Sequence, residues 1–164
     1  MDKKLDELKT KVLEAQQNSD IASLYVLEKE AQNSFDEETL QGFYSNILDM
    51  ALENLTNTLE SHRKMDFKEV QDYATVRALY EYAMEHYSAG AISDASALFE
   101  VLSGVSDDSG FTLAMKFHWI ASKEGITIND FLENVADVKR TQEAKTFYVS
   151  WFKKEAQKLL DDAK

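Results

Sequence analysis

No proline occurs anywhere in the 164 residues. At average usage of roughly 5%, a chain of this length carries about eight. Proline breaks helices and punctuates loops, so its absence favours long helices joined by short turns. The apolar residues agree. Leu40, Phe43, Tyr44, Ile47, Leu48, Ala51, Leu52, Leu55 and Leu59 recur at spacings of three and four, the signature of one broad helical face.

The same period runs through the rest of the chain. Leu5, Leu8, Val12 and Ala15 mark a first helix, and Asp20 is placed to cap a second carrying Ile21, Leu24, Leu27 and Ala31. Ser34 with Glu37 fits a capping box before the long helix, with Asp36 as a competing cap. Asp66 with Glu69 opens the next helix, through Val70, Tyr73, Val76, Tyr80, Ala83 and Tyr87, and Gly90 ends it. Ser93 is expected to cap a short helix that stops at Gly104, and Ser109 to start another ending near Gly125. Thr127 with Asp130 suggests the cap of a further helix through Val138. A last helix is expected from Thr141, with Ala144, Phe147, Tyr148, Trp151, Phe152, Leu159 and Leu160 on one face. No segment shows strand alternation. The expectation is an all-α fold of about eight helices, in antiparallel hairpins stacked as one domain over 1–164: N-terminal helices to 65, a core over 66–126 and C-terminal helices over 127–164.

Charge and composition narrow the function. The net charge is −12, concentrated in residues 1–62, with 13 acidic and 5 basic side chains. Nucleic-acid binding needs Lys and Arg to neutralise phosphates, so an acidic chain argues against it. Without cysteine there is no disulfide, thiolate metal site or Cys nucleophile, which fits a reducing cytoplasm. No signal-like stretch opens the chain, and none approaches the roughly 18 apolar residues of a membrane span. The expected location is cytoplasmic.

Signs of chemistry are few. His62, His86 and His118 lie far apart, and Leu59, Ala83 and Met115 stand three residues before them, so neither H-E-x-x-H nor Glu-x-x-His is present. His86 and His118 read as packed, hydrogen-bonded residues. In Gly104-Val105-Ser106-Asp107-Asp108 an aspartate stands where a nucleophile elbow needs its second glycine, and no Gly-Lys-Ser/Thr offers a phosphate cradle. The Asn54-Leu55-Thr56 acceptor sequence falls inside the longest helical run. The expectation is a protein without catalytic residues, cofactor or metal, whose partner is another protein, bound as an extended or amphipathic segment. A helical oligomerisation or scaffold subunit, such as a homodimer, is the alternative.

One stretch carries more. From Leu79 to Gly104, small and large residues interlock at the offsets of a tetratricopeptide unit, whose period is about 34 residues. Ala83 and Ala95 take the small positions, Phe99 the aromatic one and Leu102 the last apolar one. Gly125 follows Gly90 by 35 residues, but the second copy is degenerate, with Asp130 and Asn134 where an alanine and an aromatic belong. Leu79-Tyr80-Glu81-Tyr82-Ala83-Met84-Glu85-His86-Tyr87-Ser88-Ala89-Gly90 fits the run Leu/Ile-Tyr-x-x-Ala-x-x-x-Tyr-x-x-Gly. In this the chain resembles the translocator chaperones of bacterial type III secretion, which are small acidic tetratricopeptide proteins. The resemblance extends from Ala78 to near Phe131; the N-terminal region is longer than in that family, and a third repeat is absent. It implies a chaperone that shelters an extended segment of a hydrophobic secreted protein. The implied groove residues are Arg77, Tyr80, Met84, Tyr87 and Ser88, with Thr112, Met115, Trp119 and Ser122 in the second copy. The same stripe of Tyr80, Met84, Met115 and Trp119 also suits packing against the long helix around Ile47.

Overall fold

A computed structural model describes residues 3–162. It is all-helical, with nine α-helices among the described residues: α1 (Lys3–Gln17), α2 (Ile21–Ser34), α3 (Glu37–Glu60), α4 (Val70–Ser88), α5 (Ile92–Leu102), α6 (Ser109–Lys123), the single turn α7 (Ile128–Asp130), α8 (Val138–Ala144) and α9 (Ala156–Asp162). A π-helical turn, Phe131–Val135, continues directly from α7. The described residues form two compact units, the first running to Ala78 and the second beginning at Leu79, so the division falls within α4.

In the first unit α1 packs on α2 and α2 on α3. The apolar stripes supply the core: Leu8, Val12 and Ala15 from α1, Ile21, Leu24 and Ala31 from α2, and Phe43, Ile47, Ala51 and Leu55 from α3 are buried. Side chains replace the missing backbone partners at the helix starts. Asp20 accepts from the Ser23 amide at 3.0 Å. Its hydrogen bonds to Ser23 and Gln71 hold its carboxyl below the usual range. At α3 the aspartate prevails over the Ser34–Glu37 capping box: Asp36 accepts from the Thr39 amide at 2.8 Å, and Ser34 remains the last residue of α2.

The second unit is built around α6, which packs against α5 and α9. Its inward residues are Phe111, Ala114, Met115, Phe117, His118, Ala121 and Ser122. Gly90 (φ 81°) and Gly125 (φ 82°) adopt the left-handed geometry that glycine enters without steric cost, and so end α4 and α6 as their placement predicts.

Several local expectations are corrected. Asp66 accepts from the Lys68 amide in a turn, and α4 starts only at Val70. Ser93 lies inside α5, which has no side-chain cap. By contrast, α6 starts at Ser109 as expected, and Asp108 caps it, accepting from the Phe111 amide at 2.8 Å. The largest correction is at the C-terminus. The single helix expected from Thr141 is two short ones, with residues 145–155 non-helical between them. The break comes at Lys145, which turns left-handed (φ 57°, ψ 32°) at the end of α8. Phe152 then pairs with Ala136 in an isolated antiparallel bridge.

Candidate functional site

The residues singled out by sequence fall into three environments. Arg77 belongs to the first unit and is engaged there. Its guanidinium lies 3.9 Å from the centre of the Tyr25 ring and pairs with Glu28 at 3.1 Å. Tyr44 donates to the other Glu28 oxygen at 2.8 Å. Tyr80, Tyr87 and Met115 are buried in the second unit, at 4%, 1% and 0% exposure. Met84, Thr112 and Trp119 are half-buried, Ser122 is buried and Ser88 is exposed.

Tyr80 is the centre of an aromatic cluster. Its ring meets Phe99 of α5 at 6.3 Å, His118 of α6 at 5.2 Å, and Phe147 and Tyr148 of the non-helical segment at 6.0 and 6.3 Å. Phe111 completes the floor beneath that segment, 5.0 Å from Tyr148 and perpendicular to it, and 5.9 Å from Phe147. Edge-on pairs of this kind place the positive rim of one ring on the negative face of the next. Further along, Phe152 stacks on Phe117 at 4.3 Å.

A directed hydrogen-bond chain runs through the cluster. The Ala114 carbonyl lies 2.7 Å from His118 Nδ1 and can only accept, so Nδ1 carries the proton. Burial keeps the imidazole neutral, its pKa lowered to about 4. Nε2 is therefore a bare acceptor, and the Tyr80 hydroxyl donates to it at 2.8 Å. That hydroxyl in turn accepts from the Val149 amide at 3.1 Å. Burial raises the phenol far above its ordinary value, which keeps it in the donating form. His118 thus has the packed, hydrogen-bonded role read from the sequence, with no surface of its own exposed.

Tyr87 is held in the same way, donating to the Ile126 carbonyl just past α6. Burial, with Asp130 nearby, pushes its pKa up to about 12. Its ring touches Phe99 and Phe131 at 6.0 and 5.9 Å, tying α4 and α5 to the π-helical turn.

The covering segment is fastened mainly by side chains. Thr141 Oγ1 accepts from the amides of Ser150 and Trp151, both at 3.2 Å, which closes the loop at its base. Asp137 donates its amide to the Trp151 carbonyl at 2.8 Å, and Lys153 to that of Val135 at 2.9 Å. The Lys153 ammonium also reaches the Glu133 carbonyl. Phe147 and Tyr148 were legible as apolar residues at helical spacing; their placement over Tyr80 and Phe111 was not, because it depends on the break at Lys145.

A second apolar surface lies in the first unit. A depression of about 440 Å³ is lined by Tyr25, Phe67, Val70, Tyr73 and Arg77 among others, with Val70 65% exposed. Among the described residues no three His, Asp or Glu side chains converge as metal ligands, and no helix is long and apolar enough to cross a membrane. No protein-family model matches the chain, and no curated protein or solved structure matches it.

Proposed function

We propose that this chain is a non-enzymatic protein-binding chaperone or adaptor that shelters an apolar segment of a partner. One observation carries the reading: the aromatic face of α4 and α6 receives a non-helical stretch of polypeptide, Phe147 to Val149, through ring contacts to Tyr80 and Phe111 and a main-chain hydrogen bond to Tyr80. Such a face recognises peptide by aromatic rings and by a backbone amide that is not committed to a helix. Tyr80, Tyr87 and Met115 form its buried floor, and the half-buried Met84 and Trp119 are its accessible members. The resemblance of Leu79–Gly90 to type III secretion chaperones supplies the proposed setting, a cytoplasmic chaperone holding a translocator before export.

The test is isolation of the chain from its native cell, with mass spectrometry of what stays bound, alongside the variant Met84→Ala/Trp119→Ala. A stoichiometric hydrophobic secreted partner, lost from the variant at unchanged helicity, is expected. An unaltered complex in the variant overturns the assignment of the face.

A second reading, a helical oligomerisation subunit, draws on the exposed Val26, Val70 and Tyr73 of the first unit. A concentration-dependent homomer free of any foreign chain favours it over the first.

A further inference from the structure

The chain's own segment sits where the proposed partner would bind, and the chemistry of that contact specifies the partner. The Tyr80 hydroxyl spends its proton on His118 and requires an N–H donor from whatever covers it. Beyond its first turn, a helix has its amides committed to its own carbonyls, so the covering chain must be non-helical where it crosses Tyr80, as the bent Phe147-Tyr148 stretch is. The rings of Tyr80 and Phe111 accept two neighbouring aromatics edge-on, and Phe117 stacks a third five residues beyond the first.

The cover is also built to lift locally. Phe147 and Tyr148 remain half-exposed while Tyr80 beneath them is buried. The tip makes no regular secondary structure, whereas the base is pinned separately by Thr141 and by the bridge between Ala136 and Phe152. Lys145 enters the segment in a left-handed conformation that a non-glycine residue adopts only at a cost.

We infer that Phe147-Tyr148 is an exchangeable plug on the partner-binding face, displaced by a non-helical partner segment of the pattern aromatic-aromatic-x-x-x-aromatic. This rests on the protein-binding reading and adds the partner's recognition sequence and the step that admits it. A free chain held mostly in the plugged state binds such a segment with its intrinsic affinity reduced by the open fraction.

The experiment uses the full-length chain and a fluorescent peptide of the plug's own sequence, Lys-Thr-Phe-Tyr-Val-Ser-Trp-Phe-Lys. The peptide binds the Phe147→Ala/Tyr148→Ala variant more tightly than the unmodified chain, by about tenfold or more. Equal affinity for both chains leaves the binding face standing and overturns the plug. Absence of binding to either, with helicity retained, overturns the plug and the binding face together. The unmodified chain supplies an independent reading: peptide in excess removes the hydrogen-exchange protection of the Val149 amide. Protection that survives saturating peptide overturns the exchange.

Discussion

The Val149 amide donates to the Tyr80 hydroxyl across 69 positions of sequence, and that hydroxyl passes its own proton toward His118. One phenol thereby joins α4, α6 and the segment between α8 and α9. Tyr80→Phe keeps the ring contacts and removes the junction, leaving a buried imidazole nitrogen and an amide without partners. Each orphaned group costs of order 1–3 kcal/mol, so the two together give an expected loss of about 2–6 kcal/mol. Denaturant unfolding followed by tryptophan fluorescence measures it, because Trp119 and Trp151 both lie in the second unit.

His118 makes the second unit sensitive to acid. An unfolded chain protonates this imidazole near its ordinary value of 6.5, the folded one only near 4. Between those values the unfolded state binds more protons, so the contribution of neutral His118 is complete above about pH 6.5 and declines as pH falls toward 4. At pH 5 the loss attributable to this group is about 2 kcal/mol. Comparison of unfolding at pH 7 and pH 5 with the variant His118→Phe isolates it: the variant lacks this component of the pH dependence.

Gly90 and Gly104 separate backbone conformation from packing. A methyl group on Gly90 meets nothing within 4 Å, yet its φ of 81° is one that alanine resists. Gly90→Ala is expected to destabilise by about 1 kcal/mol. Gly104 has no positive φ, and its nearest neighbour would be the Val101 carbonyl at 3.8 Å. Gly104→Ala is therefore neutral or slightly stabilising, and thermal unfolding of the pair checks the contrast.

Caps give a finer test. Asp108→Ala removes the acceptor for the Phe111 amide and is expected to cost about 1 kcal/mol. Ser109→Ala, one residue on, replaces a helical residue whose side chain caps nothing and is expected to cost little. Equal losses in the two variants would contradict the assignment of Asp108.

Helices and their glycine stops were legible because they depend on local physics. The stripe from Leu40 to Leu59 encodes α3 by its period, and Gly90 and Gly125 end their helices by conformational freedom alone. Neighbouring cap candidates such as Ser34 and Asp36 were not resolved, since either can begin a helix within two residues of the other. The C-terminal reading failed for a different reason. Phe147, Tyr148, Trp151 and Phe152 keep a helical rhythm, and no glycine or proline warns of the turn at Lys145. Tertiary contacts with Tyr80, Phe111 and Phe117 draw these rings into a non-helical path. For the candidate site, the stripe of Tyr80 and Met115 left groove and core packing open, and the segment that covers Tyr80 was not legible at all.

The central claim, that the face around Tyr80 binds another protein, is tested most directly by a photo-crosslinking residue at Trp119 or Met84 in the native cell. The account predicts a single dominant adduct with a different polypeptide, whose crosslinked stretch is rich in aromatic residues. Adducts formed only with a second copy of this chain, or none at either position, would contradict it.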